Sequence, residues 1–192
     1  TLPQGQRGGW TLGVLVQSNY GGVLQMGGVP VGIELGQYAF KDAVSANKSD
    51  GQPLAQWTRG RADDHGDGSV IVIIATDAPL SDRNLRRLAA RAMMGLGRTG
   101  SSASNGSGDY ALAFSTAEQV RRPFGALRLT LEELPNERMS ALFQANVEAV
   151  EEAVYNSMLM ATTESGNGVT VEAIPLDRLR EVLRRHGIHP KN

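Results

Sequence analysis

The residues best suited to chemistry lie at the junction Asp67-Gly68-Ser69, where a polar segment runs directly into an uncharged apolar run. A cut before Ser69 would leave its hydroxyl and a free α-amine on the same residue. An α-amine has a pKa of about 7.7 to 8.0, so it can accept the hydroxyl proton near neutral pH. This is the arrangement of an N-terminal nucleophile, in which the base belongs to the nucleophile's own residue. Gly-Ser pairs are common, however, and the pattern alone leaves a plain loop end as the alternative.

A second candidate is the loop Asn105-Gly106-Ser107-Gly108-Asp109. Its glycines allow close approach to a ligand, and Asp109 could orient Ser107 or hold the amine of a substrate. A solvated Gly/Ser loop is the alternative. The loop is as glycine-rich as a phosphate-binding P-loop, but it lacks the Lys-Ser/Thr ending and leads into a strand, which excludes that interpretation.

The third candidate is Asn19, which ends an apolar stretch just before Gly21-Gly22. Its side-chain amide could donate a hydrogen bond to an oxyanion that develops during a reaction. The alternative is an asparagine that ends a strand and turns the chain.

The elements that must position these residues follow from hydrophobic patterning. Residues 10–18 and 69–76 are predicted strands, and the β-branched, uncharged second run should be buried on both faces. Ser81 is a predicted helix N-cap, and Gly95 and Gly97 are predicted to end that helix. Two further helices and two further strands are predicted at 137–160, 177–185, 110–114 and 169–173. This mixture predicts a layered α/β or α+β sandwich.

Composition excludes several classes of protein. Hydrophobic residues make up 41% and charged residues 20%, which is typical of a folded chain. With 19 Lys and Arg against 20 Asp and Glu, no basic field exists to bind nucleic acid or an anionic membrane. Cysteine is absent, which excludes disulfides, thiolate metal sites and cysteine nucleophiles, and the three histidines show no metal-ligand spacing.

Several separated stretches together resemble one family of hydrolases. They are DGSVIVIIATDAPLSDRNLRRLAARAMMGLGRTGSSASNGSGDYALAFSTA at 67–117, WTLGVLVQSNYG at 10–21, EEAVYNSMLMA at 151–161 and VEAIPLDRL at 171–179. In this order they are similar to the DmpA family, which comprises L-aminopeptidase/D-Ala-esterase/amidases and β-peptidyl aminopeptidases. The resemblance covers most of the chain apart from a polar stretch at 41–65.

The resemblance implies a role for each candidate residue. Members of the family are precursors that cut themselves, and the cut would fall between Gly68 and Ser69. Ser69 would then be the nucleophile, Ser107 and Asp109 the second catalytic pair, and Asn19 the oxyanion donor. The implied fold is α+β, the four-layer αββα sandwich that the family shares with ornithine acetyltransferases. No metal or organic cofactor is implied.

The resemblance also predicts the organisation of the chain. Residues 1–68 correspond to the C-terminal part of an α-chain region, with a long polar loop at 41–67, and 69–192 correspond to a β chain. Both belong to one sandwich domain. Family α chains are longer, so we expect only part of the subunit pair here. Its expected partners are the remaining α-chain segment and further αβ units in a homo-oligomer, with no nucleic acid and no membrane.

The resulting prediction is a self-processing serine aminopeptidase or amidase, acting on small peptides, amides or esters with a free amino group. The alternatives are an acyltransferase like ornithine acetyltransferase, whose family has threonine at the cut, or a non-catalytic assembly subunit. No targeting segment is visible in this chain, and the sequence leaves the compartment of the expected soluble protein open between cytoplasm and periplasm. The sequence leaves open a preference for L-, D- or β-amino acids.

Overall fold

The computed structural model of the chain describes residues 2–3, 9–39, 41 and 68–189. The long polar loop predicted at 41–67 lies, apart from Lys41, outside the described residues. The strands are β1 Leu2–Pro3, β2 Gly9–Trp10, β3 Leu12–Asn19, β4 Ser69–Thr76, β5 Tyr110–Ser115, β6 Glu164–Gly166 and β7 Val169–Val171. The helices are α1 Val31–Leu35, α2 Asp82–Ala90, α3 Ala92–Arg98, α4 Ser140–Leu159 and α5 Leu176–Arg185.

The chain divides into two compact units. The first takes its described residues from Thr1–Ser18, Ile71–Leu96 and Tyr110–Ser157. The second takes its described residues from Asn19–Val70, Gly97–Asp109 and Met158–Asn192. Each unit therefore draws on three separated stretches of sequence.

The first unit contains a three-stranded sheet in the order β3-β4-β5. β4 and β5 are parallel, and Ile71 lies opposite Tyr110. One face of β4 is buried through Val72 and Ile74, as the β-branched run predicts. Burial of the second face was also predicted, and this is wrong for the described residues, because Ile71 on that face is 44% exposed. An uncharged apolar run predicts that both faces of a strand are buried, but it does not indicate which part of a polypeptide would cover each face.

The predicted stop of the first long helix is also wrong. The helix is interrupted at Arg91, and Gly95 and Gly97 both lie within α3. A Cβ atom on Gly95 would lie 2.8 Å from the Val147 carbonyl oxygen and 2.8 Å from the Val150 Cβ of α4. Gly95 is therefore required by the close approach of two helices, and a glycine of that kind cannot be told from a helix terminator by type alone.

Polar and cationic groups also join the helices of the first unit. The side chain of Asn146 on α4 is fully buried, and its Nδ2 donates a 2.8 Å hydrogen bond to the Leu88 carbonyl of α2. The guanidinium of Arg91 lies 3.5 Å from the centre of the Phe143 ring, a cation–π contact. These contacts fix α2 and α4 relative to one another beyond what apolar packing alone would specify.

Helix ends differ slightly from the predicted ones. Ser81 does occupy the N-cap position of α2, but its side chain makes no capping hydrogen bond. The helix predicted at 137–160 is α4, Ser140–Leu159, and a 3₁₀ turn at Asn136–Arg138 precedes it. Pro135, in an extended conformation, begins that turn. A proline disfavours the helical conformation in the residue before it, so a helical segment can begin only after this point.

The second unit includes α1, α5 and the β6–β7 hairpin. The two helices are in contact, and Glu34 of α1 accepts hydrogen bonds from Arg185 at 3.3 Å and from His186 at 3.4 Å when that nitrogen carries a proton. Leu179 and Val182 form the buried face of α5. The strand predicted at 169–173 is β7, whose partner β6 was not predicted because its exposed residues carry no alternating apolar pattern.

Candidate active site

The junction at the start of β4 is closely packed. Gly68 is buried, Ser69 is exposed and Val70 is buried again, which is the alternation expected at the beginning of a strand. A Cβ atom on Gly68 would overlap with the carbonyl oxygen of Asn19 and the Cα atom of Tyr20. Glycine is therefore the residue that this position accommodates. With the Gly68–Ser69 peptide bond intact, the nitrogen of Ser69 is an amide and has no basic lone pair.

The glycine-rich loop meets the hydroxyl of Ser69. The backbone N–H of Gly108 donates a hydrogen bond to Ser69 Oγ at 3.2 Å. On either side of that glycine, Ser107 Oγ donates to Asp109 Oδ1 at 2.7 Å. The loop is held in a turn by the Ser107 N–H, which donates to the Ser104 carbonyl at 2.9 Å. The structure thus brings together three of the four side chains that the sequence predicts for the site.

Strand register explains why these distant segments meet. β4 and β5 run parallel, with Ile71 opposite Tyr110. Ser69 lies two residues before Ile71, and Gly108 lies two residues before Tyr110, in the loop that leads into β5; the Gly108–Ser69 hydrogen bond joins them directly. Parallel strands place equivalent ends at one edge of a sheet. The start of the buried strand and the end of the glycine-rich loop are therefore neighbours.

Asn19 is the last residue of β3, and its side chain is exposed. Its backbone carbonyl lies against Gly68. Within the part of the chain that the structure describes, no hydrogen bond joins the Asn19 amide to Ser69. The backbone of the fourth predicted residue therefore lies beside the Gly68–Ser69 junction.

Tyr20 is a site residue that the sequence reasoning missed. Its hydroxyl lies 2.6 Å from Thr99 Oγ1, and the side chain of Thr99 is almost fully buried. Burial raises the pKa of Tyr20 above its usual 10.0 and the negative charge of Asp109 raises it further, while the hydrogen bond with Thr99 acts in the opposite direction. The only signal in the sequence was an aromatic residue directly after Asn19. Its partner lies 79 positions away, so no local pattern could connect the two.

The backbone that follows Tyr20 packs closely against the backbone of Thr99 and Gly100. Val23 N–H donates to the Gly100 carbonyl at 2.9 Å, and Gln25 N–H donates to the Thr99 carbonyl at 3.0 Å. A Cβ atom on Gly22 would overlap with the Gly100 carbonyl oxygen, and one on Gly100 would overlap with the Val23 carbonyl oxygen. The segment that follows Tyr20 therefore runs directly along the segment that follows α3.

The described part of the chain contains no group of three or more histidine, aspartate or glutamate side chains arranged to hold a metal ion. None of its helices has both the length and the apolar character that crossing a bilayer requires.

Comparison with known proteins identifies the family of the chain. Residues 1–171 match the sequence pattern of Peptidase family S58. The chain belongs to this family. The predicted resemblance to the DmpA family is thereby confirmed, since the S58 relatives include a β-peptidyl aminopeptidase and an L-aminopeptidase D-Ala-esterase/amidase.

The S58 relatives are similar over nearly the whole chain. The β-peptidyl aminopeptidase BapA of Sphingosinicella microcystinivorans is 41% identical over 181 residues, which is 92% of this chain and 44% of that protein. The crystal structure of the PH0078 protein from Pyrococcus horikoshii OT3 has a TM-score of 0.71 and 41% identity, over 93% of this chain and 44% of that one. The chain spans less than half the length of these relatives.

A third S58 relative identifies the fold. The L-aminopeptidase D-Ala-esterase/amidase from Ochrobactrum anthropi has a TM-score of 0.69 and 38% identity, over 93% of this chain and 44% of that one. That enzyme is described as a prototype of the serine aminopeptidases and as a new variant of the Ntn hydrolase fold. The predicted α+β fold of DmpA type is confirmed. The catalytic roles of Ser69, Ser107, Asp109 and Asn19 stay predictions.

Proposed function

We propose that the protein is a self-processing serine aminopeptidase or amidase with Ser69 as an N-terminal nucleophile and a cleavage site between Gly68 and Ser69. The observation that carries the proposal is the 3.2 Å hydrogen bond from Gly108 N–H to Ser69 Oγ, next to the Ser107–Asp109 pair. Membership of Peptidase family S58 supports the same reaction class. Small peptides, amides or esters with a free amino group are the proposed substrates.

Self-cleavage would begin with the hydroxyl of Ser69. Its Oγ attacks the carbonyl carbon of Gly68, the C–N bond breaks, and the hydroxyl proton passes to the departing nitrogen. The product is an ester between Gly68 and Ser69 Oγ. Water then hydrolyses the ester and leaves a carboxylate on Gly68 and a free α-amine on Ser69. The close fit of Gly68 against Asn19 and Tyr20 supports this step, because it restricts the conformations of the bond to be cut.

In turnover, the new α-amine would act as the base. It accepts the proton of Ser69 Oγ as that oxygen attacks the substrate carbonyl, and it returns the proton to the leaving amine. Asn19 and backbone N–H groups stabilise the oxyanion. Asp109 accepts a hydrogen bond from the Ser107 hydroxyl, which orients a lone pair of the Ser107 oxygen to accept a hydrogen bond from the α-ammonium of Ser69. Water then hydrolyses the acyl-enzyme ester.

The exposed face of the sheet supports a further polypeptide as partner. Leu15 and Leu112 are 70% and 56% exposed, and Ile71 and Phe114 on neighbouring strands are also exposed. An apolar patch of this kind marks an interaction surface. We propose that the counterpart of the remaining α-chain segment covers this face, and that the resulting αβ units assemble into a homo-oligomer.

Self-cleavage can be tested by the intact mass of the denatured protein, produced from its native gene with any polypeptide encoded beyond this sequence. We expect a C-terminal piece that begins at Ser69 in the wild type, and an uncut chain in Ser69→Ala. Ser165→Ala is a matched control, because that hydroxyl bonds only within the β6–β7 hairpin among the described residues. A Ser69→Ala chain that is still cut would refute the proposal.

Turnover separates the proposed hydrolase from its relatives. The wild type should release p-nitroaniline from an unprotected aminoacyl p-nitroanilide, and Ser69→Ala should not. Acyl transfer to ornithine in place of hydrolysis would identify an acyltransferase. Neither reaction, together with an uncut chain, would indicate a non-catalytic subunit.

The partner surface can be tested in the same preparation. Leu112→Lys places a charge on the exposed sheet face, and Val169→Lys makes the same change on the β6–β7 hairpin, where Val169 is also exposed. We expect size-exclusion chromatography to show loss of the assembled species for Leu112→Lys alone. Equal elution of both variants with the wild type would contradict a partner on the sheet face.

A further inference from the structure

The strongest unassigned feature is the hydrogen bond between two hydroxyl groups, that of Tyr20 and that of Thr99. The oxygens are 2.6 Å apart, which is short for a pair of neutral hydroxyls. Thr99 is 2% exposed and Tyr20 is half-buried, so this bond, at the end of α3, is partly shielded from solvent. In such surroundings a hydrogen bond specifies geometry, because water replaces a lost partner less readily than at an exposed site.

The position of Tyr20 connects this bond to the cleavage junction. Tyr20 directly follows Asn19, and its Cα atom lies against Gly68. A displacement of Tyr20 therefore moves both the proposed oxyanion donor and the residue that carries the bond to be cut. Thr99 is held by its own backbone, since its carbonyl accepts the N–H of Gln25.

We propose that Tyr20 and Thr99 are positioning residues, which through their shared hydrogen bond hold Asn19 and Gly68 in the geometry that self-cleavage and turnover require. This inference rests on the proposed function of Ser69. Neither hydroxyl is a proton carrier in it. Both act through the backbone of residues 19 and 20 and through contact with Gly68.

Electrostatics agree with a positioning role. Burial and the charge of Asp109 raise the pKa of Tyr20, so the phenol keeps its proton throughout the neutral range. A hydroxyl that stays neutral can serve as a fixed hydrogen-bonding group but does not titrate as an acid or base near pH 7. Removing it should therefore lower the height of the pH–rate profile and leave its shape unchanged.

The test uses the protein as produced from its native gene, with substitutions on both sides of the hydrogen bond. Tyr20→Phe and Thr99→Val each remove one hydroxyl and keep the size of the side chain. We expect each to lower kcat and the rate of self-cleavage about tenfold, equivalent to about 1.4 kcal/mol, with KM changed by less than about twofold. Thr99→Ser keeps the hydroxyl and should retain the activity. The double variant should lose no more than either single variant.

Tyr155→Phe is the matched control, because it removes a phenol that donates to Glu151 on α4 at 2.9 Å, in the other unit. The inference is overturned if Tyr20→Phe behaves like this control, if the two losses add in the double variant, or if Tyr20→Phe shifts the pH–rate profile. Thr99→Val decides the matter if Tyr20→Phe does not fold. A wild type that is neither cut nor active would instead refute the proposed function, and an active wild type with unaffected Tyr20→Phe refutes the positioning role alone.

Discussion

Replacement of Gly68 by alanine tests whether close packing at the proposed cleavage junction matters for folding and for self-cleavage. The added Cβ atom would overlap with the carbonyl oxygen of Asn19 and the Cα atom of Tyr20. Both are backbone atoms, which cannot rotate away as the end of a flexible side chain can. Either the start of β4 or the end of β3 must therefore move.

The expected size of the effect follows from two opposing terms. Overpacking costs about 1 to 3 kcal/mol, whereas the lost backbone freedom of the unfolded chain returns about 0.4 to 1 kcal/mol. The midpoints of the two ranges give a net loss of about 1.3 kcal/mol, which corresponds to a Tm lower by about 3 to 5 °C for a chain of this length. A shift of the junction by about 1 Å should also slow self-cleavage by about tenfold to a hundredfold.

Gly13→Ala is the matched control, since Gly13 lies within β3 and nothing lies within 4 Å of an added Cβ atom. Tm should be measured by calorimetry in a Ser69→Ala background, so that cleavage does not mix two species. The cleavage rate should be measured by intact mass with Ser69 present. If Gly68→Ala and Gly13→Ala agree in both quantities, the close packing at Gly68 has no energetic consequence and the reasoning is refuted.

Two further predictions concern charge and pH. Asp109→Asn weakens the charge-assisted bond from Ser107, worth about 1.5 to 3 kcal/mol, and should lower kcat on an aminoacyl p-nitroanilide about 10- to 100-fold. Glu164→Gln makes the equivalent change at the bond from Thr162, and an equal effect of both variants would contradict a special role for Asp109. Because burial raises the pKa of Tyr20 above 10.0, its share of the stability is present below pH 10 and is lost as pH rises through the raised pKa. The fall of Tm between about pH 10 and 12 should be smaller in Tyr20→Phe, and an identical fall would show that this phenol does not titrate differently on folding.

The parts of the site that could be predicted from the sequence are those whose signals are local. Ser69 begins an uncharged β-branched run, and Ser107 and Asp109 share one short glycine-rich loop, so residue types alone made them candidates. Their meeting depends on the parallel register of β4 with β5, which joins residues 39 positions apart. The family resemblance supplied that connection where periodicity could not.

The features that were missed share a physical reason, namely that one residue type serves several purposes. Gly95 gave the signal of a helix end, whereas its role is to let α3 approach Val150 of α4. Ile71 gave the signal of a strand buried on both faces, although one face is exposed in the described structure. The bond between Tyr20 and Thr99 joins two unremarkable polar residues, and only the folded backbone brings them together.

The place of Ser69 in the sheet has a mechanical consequence. A chain end is normally where a fold loosens, because end residues have few neighbours to restrain them. A cut before Ser69 would create an end on the middle strand of the sheet, and the next residue, Val70, is 1% exposed. Fraying of the new terminus would have to pull that valine into water, so it should stop at a single residue. After a cut, β4 should therefore keep its place in the middle of the sheet, with its new terminus fixed by the burial of Val70.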